Sequence, residues 1–310
     1  ILLLGIYQPM EAFEEGYADN DGIKIYYRDY GPVDAVPIIL VQGLGGQLTQ
    51  WPDNLIDLLI DNDFRPIVYD NRDIGLSTKF IGSPNYSTDY LKYILRLPLK
   101  SEYTIDDMGQ DGISVLDELN IDSAHLLGMS MGGMIAQIIA ANHPKRIKSF
   151  TLIASTAATP SPFNSPTREV RNLILDRSIT KDASYEDRYQ RAVKLIKVIG
   201  MEGYKFDTPE FKQQAIENMK RSKDDTGFSR QLLAILASKN RFKKIQSIKI
   251  PTLIVHGKDD PLLKVKNAYT MHKLIPASEL IIIEDMRHLI EQPILDQFKD
   301  RLIIHLNSNS

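Results

Sequence analysis

The chain contains no cysteine. Disulfides and thiolate metal sites are therefore excluded, while the compartment stays open, because chains from either redox environment can lack the residue. A strong charge of either sign is missing too. Lys and Arg number 37 against 40 Asp and Glu, a net charge of −3, which argues against a nucleic-acid binder, since those are usually basic. The opening apolar run Ile1-Leu2-Leu3-Leu4-Gly5-Ile6 is far short of the roughly 20 residues that span a bilayer. It has no basic flank and does not begin with Met. It is read as an N-terminal arm packing on the core, with the trimmed remnant of a signal peptide as the alternative. The expected compartment is cytoplasmic on the first reading and periplasmic or secreted on the second. No internal repeat or long low-complexity tract interrupts the chain. What is present is 310 residues, 43% hydrophobic and 25% charged, enough for one large α/β domain or two ordinary ones.

Short apolar runs alternate with amphipathic segments. Gly22–Arg28 alternates like an edge strand, and Pro37–Val41 is continuously apolar, as expected of a strand covered on both faces. Further strands are predicted at Pro66–Tyr69, at the run ending in Leu127, and at Ser149–Ile153, Ile250–Val255 and Leu280–Ile283. Helices are predicted at Trp51–Ile60, Ile105–Leu119, Met134–Ala140, Val265–Leu274 and Glu291–His305. From about Thr159 to Lys244 the strand signal stops, and four helical patterns follow at Thr167–Asp176, Ser184–Ile199, Pro209–Arg221 and Phe228–Ser238. The alternation predicts an α/β fold with a mostly parallel central sheet and helices on both faces. The expected division is a core of residues 11–158 and 245–310 with a helical cap inserted at 159–244.

In such sheets the functional groups lie just past the carboxyl ends of the strands. Gly128-Met129-Ser130-Met131-Gly132-Gly133 stands between a strand and a helix, and G-x-S-x-G in that setting is a nucleophile elbow. Its turn is so sharp that side chains at 128 and 132 would collide with neighbouring backbone. Past Val41, the loop Gln42-Gly43-Leu44-Gly45-Gly46 can turn backbone amides toward a developing oxyanion. It lacks the Gly-Lys-Ser/Thr ending of a phosphate loop. Past Tyr69, the charged loop Asp70–Ser77 reads as a brace of salt bridges, structural more than catalytic. Past Val255, Asp259 and Asp260 compete as the acid that orients a histidine, and Asp260 is favoured because Pro261 fixes the backbone that follows it. Of six histidines only His288 falls in a strand-to-helix loop of the right kind. The order Ser130, Asp260, His288 is that of an α/β-hydrolase triad.

Over nearly its whole length the chain resembles the α/β-hydrolase superfamily. Gly128–Gly132 matches the family's elbow, Gly257-Lys258-Asp259-Asp260 resembles its G-x-x-D acid turn, and Met286-Arg287-His288 resembles the loop that ends in its histidine. Asp70–Ser77 is similar to its D-x-R-G-x-G-x-S segment, with Asp73 where Gly is commoner. Together with Trp51-Pro52, these features are most similar to the capped bacterial esterases grouped with aclacinomycin methylesterase. Gln42-Gly43 departs from the family's frequent His-Gly, a swap expected to alter how the loop is anchored. By the resemblance, the oxyanion donors are the backbone N–H groups of Leu44 and Met131.

These readings imply a serine hydrolase acting on a mostly apolar, medium-sized ester without cofactor or metal. Lactone or carbon–carbon bond hydrolysis, or a weakly hydrolytic ligand receptor, are the alternatives. The cap and the segment Tyr86–Tyr103 concentrate aromatic and apolar residues. That segment reads as ordinary packing, with an acyl-pocket wall or a membrane-surface face as the sharper alternatives.

Overall fold

The computed structural model describes residues 13–82, 86–95, 97–159, 166–176, 183–222 and 226–310. The apolar run Ile1–Ile6 lies outside them, as does part of the predicted cap. Among the described residues an eight-stranded sheet has the order β1-β2-β4-β3-β5-β6-β7-β8. Its strands are β1 (Phe13–Asn20), β2 (Ile23–Tyr30), β3 (Val36–Val41), β4 (Phe64–Tyr69), β5 (Ala124–Met129), β6 (Ile147–Ile153), β7 (Thr252–Gly257) and β8 (Ser278–Ile283). Strands β3 to β8 run parallel, while β2 pairs antiparallel with β4 and β1 with β2.

The continuous apolar runs divide by the period of two that a pleated strand imposes. Ile39, Val41, Ile67, Leu126, Leu152 and Ile254 pack on one face of the sheet. Their neighbours Ile38, Leu40, Val68, Leu127, Ile153 and Val255 pack on the other. The first face is covered by α3 (Ile105–Glu118), α4 (Met131–Asn142) and α10 (Lys266–Leu274), the second by α1 (Asp53–Ile60) and α11 (Gln292–Asn307). A short helix, α2 (Tyr86–Ile94), precedes α3.

Among the described residues between β6 and β7, the elements are all helices: α5 (Arg168–Leu175), α6 (Tyr185–Ile199), α7 (Pro209–Arg221), α8 (Gly227–Ala237) and α9 (Phe242–Gln246). Thr167, Ser184 and Thr208 begin α5, α6 and α7 as N-caps, each side chain accepting a backbone N–H of the first turn. The parallel sheet and its helical layers agree with the predicted fold class. Strand β1 was not anticipated. It is an edge strand in which only Ala18 is buried, so it carries no apolar signature. Helix α9, five residues long, is likewise too short to show a period. No described helix is long and apolar enough to cross a membrane.

Candidate active site

Ser130 sits where β5 passes into α4. It is the N-cap of that helix and holds φ 55° and ψ −119°, a strained setting for a residue with a side chain. The glycines around it are dictated by contact. A Cβ on Gly128 would lie 2.6 Å from the Gly132 carbonyl oxygen, and one on Gly132 would lie 1.9 Å from the carbonyl oxygen of Val41. The turn is pinned by the Ser130 N–H donating to the Ile153 carbonyl at 3.0 Å and by the Ser155 hydroxyl donating to the Ser130 carbonyl at 2.8 Å.

The three residues singled out in sequence come together here. His288 Nε2 lies 3.0 Å from Ser130 Oγ, and His288 Nδ1 lies 2.7 Å from Asp260 Oδ2. The other carboxylate oxygen, Asp260 Oδ1, accepts the N–H groups of Leu262 and Leu263, each at 2.8 Å. With the acid occupied as an acceptor, the His288 proton belongs on Nδ1, and the Nε2 lone pair faces the serine hydroxyl. Asp259 is exposed, so the choice between the two aspartates falls to Asp260 on geometry. His256 approaches the same carboxylate, with Nε2 3.5 Å from Asp260 Oδ2. That nitrogen lies 2.6 Å from the Leu263 carbonyl, which can only accept, so Nε2 carries the proton. Burial pushes the His256 imidazole below its usual range, against the opposing pull of Asp260, and it stands beside the relay as a neutral group.

The His288 loop is tied to the insertion between β6 and β7. Its backbone N–H donates to the Ile199 carbonyl at 2.8 Å, and Glu291 Oε1 accepts the Met201 N–H at 2.7 Å. Glu291 is buried, and that burial raises its carboxyl above the ordinary range.

The loop past β3 lies against Ser130: a Cβ on Gly43 would sit 3.2 Å from the serine Cβ. The Gln42 side chain supplies its anchor. Gln42 Oε1 accepts the Gly43 N–H at 2.8 Å, and the Gln42 carbonyl accepts from Asn71 Nδ2 at 2.9 Å. Gly43 O then accepts the Gly46 N–H at 3.1 Å, with Gly45 at φ +72°, the pattern of a type II turn whose second residue is Leu44. Met131 opens α4, where the first amides of a helix have no partner inside it and the dipole favours negative charge.

The charged loop past β4 is a brace, as its composition suggests, and its partners come from far along the chain. Asp73 pairs with Arg230 of α8 at 2.7 and 2.9 Å, Asp70 with Arg221 of α7 at 2.6 Å, and Arg72 with Asp111 of α3 at 2.6 and 2.7 Å. Asp73 has φ 73°, which explains why glycine suits that position. Arg221 and Arg230 were not identified from sequence. In amphipathic helices, arginines read as part of a solvated face, and only the buried acids at positions 70 and 73 hint at cationic partners. No described group of three or more His, Asp or Glu side chains is arranged to hold a metal.

A model of the alpha/beta hydrolase fold family matches residues 36–290 of the chain. Rhodomycin D methylesterase DnrP of Streptomyces peucetius is 24% identical over 87% of this chain and 91% of its own length. 3-Oxoadipate enol-lactonase 1 of Acinetobacter baylyi is 26% identical over 89% and 91%. Among solved structures, 2-hydroxy-6-oxo-6-phenylhexa-2,4-dienoate hydrolase from Rhodococcus sp. strain RHA1 superposes with a TM-score of 0.72 at 15% identity, covering 96% of this chain and 99% of that one.

Proposed function

Because the chain belongs to the alpha/beta hydrolase fold family, we propose that it hydrolyses a carboxylic ester by a Ser130–His288–Asp260 relay through an acyl-enzyme. The observation that carries this reading is the pair of hydrogen bonds, 3.0 Å and 2.7 Å, joining Ser130 Oγ to His288 and His288 to Asp260. His288 Nε2 takes the hydroxyl proton as Oγ attacks the carbonyl carbon. Asp260 holds the imidazole in its tautomer and balances the charge that forms. The N–H groups of Leu44 and Met131 receive the oxyanion, each worth roughly 2.7–4 kcal/mol in comparable sites. The alcohol leaves with the proton from His288. A water deprotonated by the same nitrogen then attacks the acyl-enzyme and releases the acid.

The helices between β6 and β7 act as the cap that shapes the pocket, and the expected substrate is a mostly apolar, medium-sized ester. The similarity to a methylesterase favours an ester of a small alcohol. The similarity to an enol-lactonase supports a second reading, a lactone opened by the same steps. A fluorophosphonate probe tests the nucleophile: it labels the native protein and not Ser130→Ala. A panel of p-nitrophenyl esters of increasing chain length, set against simple lactones, separates the two substrate classes. Labelling of Ser130→Ala, or retention by it of more than about a tenth of the activity, would refute the assignment.

A further inference from the structure

Helix α8 places three consecutive polar residues, Ser229, Arg230 and Gln231, in the interior. Arg230 goes to Asp73, and its neighbour Gln231, fully buried, goes elsewhere. Gln231 Oε1 accepts the Gly45 N–H at 2.9 Å, and Gln231 Nε2 donates to the Arg72 carbonyl at 2.8 Å. Both ends of one carboxamide therefore join the loop past β3 to the loop past β4, across 186 and 159 residues of sequence.

The bond to Gly45 falls on the one peptide that decides the turn. In a four-residue turn closed by Gly43 O and Gly46 N–H, types I and II differ by a flip of the central peptide, between Leu44 and Gly45. Type II, with positive φ at Gly45, turns the Gly45 N–H outward, and Gln231 Oε1 receives it there. The opposite flip would leave that buried oxygen without its donor, which disfavours it. The Phe228 ring, one turn earlier on α8, closes over the same glycine: a Cβ at 45 would lie 2.7 Å from its Cδ2. The flip leaves φ of Leu44 nearly unchanged and turns its ψ by about 150°, so the Leu44 carbonyl swings to the side that the Gly45 N–H leaves, next to the peptide whose N–H is the proposed oxyanion donor.

Resting on the function proposed above, we infer that Gln231 is a positioning residue for transition-state stabilisation. It locks the oxyanion turn in its type II form, so that the helical insertion governs the chemical step as well as access of substrate.

The test compares Gln231→Met, which removes acceptor and donor at similar volume, with Gln231→Glu, which keeps an oxygen for the Gly45 N–H. The probes are a p-nitrophenyl ester and an alkyl boronic acid as tetrahedral mimic. In Gln231→Met, kcat is expected to fall about 10- to 100-fold with KM within about threefold, and boronate affinity to fall with kcat. Gln231→Glu is expected to recover part of the loss, since it keeps the acceptor for Gly45 but sets its second oxygen against the Arg72 carbonyl. Should the Met variant fail to fold, Gln231→Asn withdraws the amide by one methylene and is expected to show the same split. Unchanged kcat in the folded variant overturns the inference. So does a loss confined to KM, or a Glu variant no better than Met. Ser130→Ala and fluorophosphonate labelling run alongside. A native enzyme that neither labels nor turns over overturns the function itself, whereas a serine-dependent enzyme indifferent to residue 231 overturns the inference alone.

Discussion

Asp73 combines two opposing effects, and their sizes can be separated. Its φ of 73° costs a residue with a Cβ about 1–2 kcal/mol. Its carboxylate pairs bidentately with Arg230, both groups lying almost wholly out of solvent, and Oδ1 also accepts the Phe80 N–H at 2.8 Å. Removing one partner of a buried pair leaves the other charge uncompensated, typically at about 3–5 kcal/mol. Asp73→Ala keeps the backbone strain and loses the pair, so a loss of about 3–5 kcal/mol is expected. Asp73→Gly loses the pair but relaxes the backbone, so it should be more stable than Asp73→Ala by about 1 kcal/mol. Arg230→Met should cost as much as Asp73→Ala, and the double variant little more than either single one, a coupling of about 3 kcal/mol. Urea unfolding followed by the fluorescence of Trp51, the single tryptophan and a buried one, measures each term. Additive single effects, or a loss below about 1 kcal/mol in Asp73→Ala, would refute the ion pair as a tether. Equal stability of the Gly and Ala variants would refute the strain.

Asp260→Asn should lower kcat by about 10⁴-fold with the fold intact, by analogy with other triads, while the exposed Asp259→Asn stays within about twofold; the reverse order in an ester assay would move the acid to position 259. Ser130→Gly should be more stable than Ser130→Ala by about 1 kcal/mol, since both lose the hydroxyl and only glycine is at ease at φ 55°; equal urea midpoints with equal slopes would remove the claim of strain. Acid should weaken the fold through His125, fully buried in β5 against Ser149, whose pKa is pushed by burial from 6.5 down to about 4. Between those values the unfolded chain takes up a proton that the folded one refuses, so stability falls as pH falls through that window, by at most about 3 kcal/mol. His125→Phe should flatten that part of the curve, and an unchanged slope would show that the proton is taken up elsewhere.

The sheet and its flanking helices were legible because the parallel strands are buried on both faces, and continuous runs such as Pro37–Val41 state this directly. β1 was illegible for the converse reason: an edge strand with one buried side chain has no pattern to show. The site was legible where local geometry demands particular residues. Only glycine fits at 128 and 132, and the turn after β7 presents two successive amides, at 262 and 263, to one oxygen of Asp260. The supporting partners were not legible. Arg221, Arg230 and Gln231 meet the loops past β3 and β4 from more than 140 residues away. In Gly227–Ala237 the clue is the polar run Ser229-Arg230-Gln231 inside an otherwise apolar helix, a clue without an address.

The supports divide unevenly among the proposed catalytic groups. Ser130 is held by the sheet itself, through Ile153 and Ser155, and Asp260 by the amides of its own turn. The histidine loop leans on Ile199 and Met201 of the insertion, and the oxyanion turn leans on Gln231 and Phe228. Gln47, just beyond that turn, reaches the Asn218 carbonyl and Arg221. The histidine loop and the oxyanion turn hold most of the hydrogen bonds that cross from the insertion to the site, while the acid turn has one, from the Thr167 N–H to the Pro261 carbonyl at 2.8 Å. On the proposed function, displacing the inserted helices would leave every bond named here for Ser130 intact and would break those named for the His288 loop and the oxyanion turn. If the proposed function holds, access of substrate and assembly of the reacting geometry are linked through the same few polar contacts, and variants that cut them should lower kcat as well as alter KM.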